Sequence, residues 1–402
     1  MTPGHGEADR SAWAVGFIFL RLGLTCFGGP VAHLGYFREE FVVRRQWLSE
    51  ASYAQLVALC QFLPGPASSQ VGFAIGLGRA GYAGALAAWA GFTLPSALAL
   101  IVLATGISGY PQAIPTGALD GLKLAAVAVV AQAVWGMGRS LCAGRVRIGL
   151  MLLTACFVLW LPTAAAQITS MGVAALIGMA WLQPAPPEAW QPSPIQPPRR
   201  AALACLGVFF TLLLGLPVLN ALYPSQALAL IDAFYRAGAL VFGGGHVVLP
   251  LLQAEVVLAG WVGNDAFMAG YGLAQAVPGP LFTFAAFLGA SMNQAPSGWL
   301  GGVICLLAIF TPACLLVTGA LPLWAVLQRT RRAQAALMGA NAAVVGLLLA
   351  AFWNPVCTSA IRGPSDVALV VVVLVGLMAF KLPPWLVVLG SGVVGGLLAP
   401  GP

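Results

Sequence analysis

FGGPVAH at residues 27–33 and QFLPGPASSQ at 61–70 return in the second half of the chain as FGGGH at 242–246 and QAVPGPLFTF at 275–284. Adding 215 carries Arg21 onto Arg236, Gly23 onto Gly238, Phe27 onto Phe242, Gly28 onto Gly243, Gly29 onto Gly244 and Glu40 onto Glu255. After a one-residue deletion the offset is 214, and Trp47 falls on Trp261, Gln61 on Gln275 and Pro64-Gly65-Pro66 on Pro278-Gly279-Pro280. Agreement at a common offset marks an internal duplication. Each copy sets proline or glycine within a long apolar stretch, so helices of a membrane protein are interrupted at corresponding places in two halves.

Composition supports that class. Of 402 residues, 60% are hydrophobic and 7% charged, and apolar runs of spanning length recur from end to end, which excludes a soluble domain. The expectation is an all-α polytopic protein of the lipid bilayer. Residues 1–12 carry Glu7, Asp9 and Arg10 ahead of a run without a small-residue cleavage site, so the first span is expected to be retained. Eight cysteines stand singly and never as CxxC, which argues against a metal site, a disulfide framework or a bound redox cofactor. The formal charge of +7 reflects loop Lys and Arg beside spans, not nucleic-acid binding.

Thirteen apolar segments follow, among them 13–27, the two split by Pro-Gly-Pro at 51–79 and 265–292, and 201–222 between the halves. Repeat one is expected over 10–183, a Pro-rich linker over 184–200, a connecting transmembrane segment over 201–226 and repeat two over 227–400. Arg38, Arg44 and Arg45 sit in a polar stretch that reads as an interfacial helix. If both Pro-Gly-Pro segments cross as broken helices, Lys and Arg divide eleven against four; if both are re-entrant hairpins, ten against five. The positive-inside tendency favours thirteen crossings with the N-terminus cytoplasmic. Seven crossings then precede repeat two, so the repeats are expected to be inverted, whereas hairpins would make them parallel.

Prolines 64, 66, 278 and 280 deprive preceding carbonyls of helical partners. The free amides of 67–69 and 281–283 would open half-helices toward the membrane interior, and helix N-termini favour anions. Ser68, Ser69 and Thr283 add hydroxyls and Gln61 and Gln275 amides, while Gly28, Gly29, Gly65, Gly243, Gly244, Gly245 and Gly279 allow close backbone approach. His33 and His246 flank the glycines but are not equivalent under the offset, and neither has the company of a metal ligand. Arg21 and Arg236 precede the breaks on the same helix face, and Lys123 sits where repeat two has Asn341. Each has a bland alternative: snorkelling for the arginines, a pair with Asp120 for Lys123. Glu255 is a candidate proton-binding group, against the simpler role of partner to an arginine. An isolated proline kink is usually a packing feature; two copies in corresponding places favour a binding site.

On these motifs, extended in the second half to FGGGHVVLP and QAVPGPLFTFAAFLGA, the chain resembles the chromate ion transporter family in its long, two-domain form, over nearly its whole length. The resemblance implies a multi-pass protein of the bacterial inner membrane that exports chromate from the cytoplasm, with sulfate as the look-alike ligand. It implies chromate resistance as the benefit, and no enzyme. The residues themselves give an anion-friendly centre; the anion's name comes from the resemblance. Two helix N-termini offer about one unit of positive charge together against chromate's two negative ones, so Arg21 and Arg236, then Lys123, are expected to balance the rest. Alternating access driven by membrane potential is the expected mechanism, with protons as a further driving force. A sulfate or general oxyanion importer is the alternative, a membrane-embedded chromate reductase the rival class, and a homodimer is left open.

Overall fold

A computed structural model describes residues 11–109, 116–184, 195, 197–242, 244–327 and 330–398. Gly243, Arg10, Arg329 and most of the linker 184–200 lie outside them. Six helices among these residues are long and apolar enough to cross a bilayer, at Ala67–Ile107, Gly117–Leu141, Ala164–Trp181, Arg199–Leu222, Gly298–Leu323 and Arg331–Ala360, and shorter apolar helices accompany them. The chain is a polytopic α-helical membrane protein. Its outward faces carry apolar stripes at helical spacing, such as Phe210, Leu214, Val218 and Leu222, as a lipid solvent requires.

The first half contains α1 (Ala12–Thr25), α2 (Gly29–Arg38, continued by a wide turn over Glu39–Arg44), α3 (Glu50–Phe62), α4 (Ala67–Gly109), α5 (Thr116–Leu141), α6 (Arg145–Trp160) and α7 (Ala164–Trp181). Then come α8 (Arg199–Leu222), α9 (Gln226–Leu240), α10 (Val248–Val256), α11 (Asn264–Ala276), α12 (Phe284–Ala290), α13 (Gly298–Ala320), the short α14 (Trp324–Leu327), α15 (Arg331–Ala351), α16 (Thr358–Ala360), α17 (Pro364–Met378) and α18 (Pro384–Leu398). Serine caps open corresponding helices: Ser11 accepts from the Ala14 amide, and Ser225 from that of Leu228. The chain reverses where glycine takes positive φ, at Gly28 (100°), Gly65 (118°), Gly244 (141°) and Gly279 (105°).

Those reversals correct the expectation that the Pro-Gly-Pro segments run straight through the membrane. α3 has 13 residues and the first arm of α4, residues 67–79, has the same number, so a straight path would separate Trp47 from Arg79 by about 40 Å. Instead the Arg79 guanidinium lies 4.7 Å from the Trp47 ring centre. In the second half the Asn293 amide donates to the Trp261 carbonyl at 2.9 Å, which brings the end of α12 beside the start of α11. The segment 13–27, expected to cross, also folds back: Phe19 of α1 stacks on Phe41 at 5.0 Å, and Arg236 of α9 reaches Glu255 of α10 at 3.2 Å. The expected interfacial helix is therefore the returning arm of a hairpin. Four of the thirteen apolar segments are hairpins, not straight passages.

The halves grip each other reciprocally. The Gly65 amide donates to the Val241 carbonyl (2.7 Å), and that of Gly279, its equivalent, donates to Cys26 (2.9 Å), the equivalent of Val241. Helices are also exchanged: Gly395 of α18 lies on the backbone of Gly117 and Gly121 in α5, and Gly178 of α7 on Ala335 and Gly339 in α15. Small residues let membrane helices approach this closely, where packing is the main source of association energy. Gly339→Leu would place a side chain where the α7 backbone stands and is expected to cost about 1–3 kcal/mol. Earlier thermal unfolding in detergent micelles is the check; an unchanged transition contradicts the exchange.

Candidate functional site

Three of the four reversals, at Gly28, Gly65 and Gly244, open on one cavity of about 980 Å³, and Gln275, on the arm that leads to the fourth, lines it too. The first break contributes Phe27, Gly28 and Gly29 and the second Gln61 and Gly65; repeat two contributes Gly244 and Gln275, the equivalents of Gly29 and Gln61, together with His246. Ala67, the first residue of α4, brings one helix start to the wall. The cavity extends along α5, past Gln132 and Gly136 to Ser140 and Leu141, and meets the α17–α18 corner at Lys381 and Trp385. Phe27 packs on Trp385 with ring centres 5.6 Å apart, tying that corner to the first glycine break. α17 and α18, with 15 residues each, are about 22 Å long, so their corner stops short of the full 30 Å of a hydrocarbon core and leaves a vestibule.

Among the described residues the wall is polar without acidity. Gln275 Nε2 and Asn341 Oδ1 are buried without partners. His246 Nδ1 lies 2.6 Å from the Tyr271 hydroxyl, and with that hydroxyl donating to Nδ1 the ring's Nε2 carries the proton as a donor. Lys381 is the cation among the described lining residues, and it makes no ion pair with another described residue. Gln275 Nε2, His246 Nε2 and Lys381 offer donors to an anion, in a space water can share, while Asn341 Oδ1 is an acceptor left for that water.

Eight of the residues expected from the sequence therefore meet here: Gly28, Gly29, Gln61, Gly65, Gly244, Gly245, His246 and Gln275. Gly243 lies outside the described residues. Others lie elsewhere. Gly279 spends its amide on Cys26, and the Thr283 hydroxyl donates to the Pro280 carbonyl. Ser68 and Ser69 are buried behind the wall, with the Ser68 hydroxyl 3.5 Å from His33 Nδ1. His33 itself is buried edge-on to Phe92.

The three expected counter-charges are also placed apart from the cavity. Arg21 is exposed on the outer face of α1. Arg236 binds Asp232 at 3.0 Å and Glu255 at 3.2 Å, so two carboxylates share one guanidinium and Glu255 is not alone. Lys123 lies 2.9 Å from both Asp120 and Asp265, and Asp120 also meets Arg362 at 3.3 Å. That network ties α5 to α11 and to the turn before α17, across the face opposite the cavity's mouth. Sequence reasoning missed Lys381, Gln132, Ser140 and Trp385; Asn341 was visible only as the counterpart of Lys123.

A duplicated helical membrane protein with breaks gathered round a polar cavity has the makings of a transporter. The chain belongs to the chromate transporter family, whose description matches residues 13–183 and 228–396. It is 30% identical to a probable chromate transport protein of Synechococcus elongatus, over 74% of this chain and 72% of that one. A chromate transport protein of Pseudomonas aeruginosa is 26% identical over 95% of this chain and 91% of its own. An uncharacterized transporter of Bacillus subtilis, YwrA, is 30% identical over 42% of this chain and 96% of its own length, so a protein of half the size matches one part of this one. No solved structure matches.

Proposed function

We propose that the protein is a secondary transporter that exports chromate from the bacterial cytoplasm across the inner membrane by alternating access. The observation that carries this reading is the meeting of helix breaks from both halves, at Gly28, Gly65 and Gly244, round one cavity that Gln61 and Gln275 also line and that holds no carboxylate among the described residues. The helix start at Ala67 contributes about half a positive charge and Lys381 a full one, against the two negative charges of the anion.

Topology supports a path with two faces. With four hairpins turning back inside the membrane, each half makes four crossings and α8 a ninth. Five crossings precede α9, an odd number, so the halves are inverted. Of 18 Lys and Arg, Arg10 and Arg329 lie outside the described residues, and Arg21, Lys123 and Arg236 lie within helices; twelve of the remaining thirteen fall on one face and Arg362 on the other. This division is far stronger than the eleven against four of straight passages, and it makes the Arg-rich face, where the cavity opens, cytoplasmic. The ion network at Lys123 then seals the outer face.

Chromate flux from proteoliposomes at clamped potential tests the reading. Outward flux is expected to rise with an inside-negative potential and to fall when sulfate, of the same shape and charge, competes on the inside. Flux indifferent to voltage and set by a proton gradient would overturn the potential-driven form and point instead to the Asp232–Arg236–Glu255 cluster, where the surplus carboxylate could take a proton. Tyr271→Phe, which removes the hydroxyl that orients His246, is expected to raise the KM for chromate about 2- to 10-fold, the worth of one hydrogen bond. An unchanged KM would exclude His246 as a ligand.

A further inference from the structure

A second pocket, of about 140 Å³, lies on the face opposite the mouth of the large cavity. Its walls are the large vestibule's walls taken from the other half. ALDGLKLAAV beginning at Ala118 aligns with ALMGANAAVV beginning at Ala336, and the same offset of 218 carries Trp135 onto Trp353. On α5 the large cavity is lined by Ser140 and Leu141 at the end of the helix and, deeper, by Val129, Gln132, Ala133, Gly136 and Met137. Adding 218 to the five deeper positions gives Leu347, Ala350, Ala351, Asn354 and Pro355, and all five line the small pocket. The remaining walls correspond element by element: the α6–α7 corner at Pro162 stands where the large vestibule has the α17–α18 corner at Pro383, and α10, at Pro250 and Gln253, stands where it has α2, at Leu34 and Tyr36.

One sequence pattern, folded twice, has thus produced an open vestibule on one face and a nearly closed one on the other. Inverted repeats supply this relation when each half adopts the conformation the other has left. We infer that the small pocket is the exit vestibule of the tetrahedral-oxyanion path, collapsed in the present conformation, and that it opens as the cytoplasmic mouth closes. Gln167, buried at this pocket, has an Oε1 without a partner, an acceptor left for the water that would fill the open vestibule. No charged residue lines the small pocket among the described residues, whereas Lys381 guards the large one. The path therefore attracts an anion at entry and holds it weakly at exit.

The inference rests on the transport reading for its ligand, but its test needs no substrate. Full-length protein carrying Gln132→Cys, Gln253→Cys or both is treated with a membrane-impermeant thiol reagent in oriented vesicles. Peptide mass spectrometry separates the new cysteines from the eight native ones. Gln132→Cys is expected to label from the cytoplasmic face and Gln253→Cys from the opposite face only. In the double variant, prior modification at 132 props the cytoplasmic vestibule open and is expected to slow labelling at 253 several-fold. Labelling of 253 from the cytoplasmic face, or at a rate blind to modification at 132, overturns the inference. Ala350→Cys, the exact counterpart position of Gln132, repeats the test if Gln253→Cys does not fold, and failure of both to label while 132 does also overturns it. Chromate flux in the same vesicles reports separately on the transport reading.

Discussion

Arg236→Met is expected to destabilise the protein by about 3–5 kcal/mol, enough to remove most folded protein from the membrane fraction, because it strands two buried carboxylates. Asp232 and Glu255 have side chains only 5% and 17% exposed, and both depend on this guanidinium. Neutralising the acids as well, with Asp232→Asn and Glu255→Gln in the Arg236→Met background, is expected to recover most of the loss, since no uncompensated charge then remains in a low-dielectric setting. Thermal unfolding of the purified variants reads both effects. A single variant as stable as the parent would mean that the cluster is hydrated and that Arg236 is free to serve the anion. Arg21, the equivalent residue in repeat one, is exposed, so Arg21→Met is the control expected to change little.

The second large effect is the steady-state gradient. Moving one elementary charge through 100 mV is worth about 2.3 kcal/mol, so a dianion leaving an inside-negative compartment gains about 4.6 kcal/mol. At about 1.4 kcal/mol per tenfold, the potential alone sustains a chromate ratio of about 10³ in favour of the outside. Export therefore needs no coupled proton, while uptake against the same field would. Vesicles held at 100 mV, inside negative, are expected to approach that ratio, and collapse of the potential is expected to bring it to unity. A ratio that survives collapse of the potential contradicts electrogenic export.

Much of this architecture was legible in the sequence because proline and glycine act locally. Pro64-Gly65-Pro66 and Phe27-Gly28-Gly29 announce a break wherever they fall in an apolar run, and the constant offset announces that the breaks are paired. What the sequence left open was the direction of the chain after each break. A Pro-Gly-Pro step can bend a helix or reverse it, and only tertiary contacts such as Arg79 on Trp47 and Phe19 on Phe41 decide for reversal. Hairpins at the Pro-Gly-Pro steps alone would have made the repeats parallel. The additional reversal after α1 restores the odd count on which the proposed inverted relation rests.

Charges were less legible for the same reason. The partners of Arg236 and Lys123 come partly from distant positions, Glu255 beyond a hairpin and Asp265 from the other half, so a lone basic residue in the sequence became a neutralised one in the fold. Lys381 reads as an ordinary loop cation between two short helices. Only the recess of that corner brings it to the cavity.

A cryo-electron microscopy map of the chromate-loaded protein in lipid nanodiscs tests the central claim most directly. The account predicts tetrahedral density between the glycine breaks, bounded by Gly28 and Gly65 of one half and Gly244, His246 and Gln275 of the other. Chromate density at another place, or glycine breaks of the two halves separated by lipid without a common cavity, would contradict it.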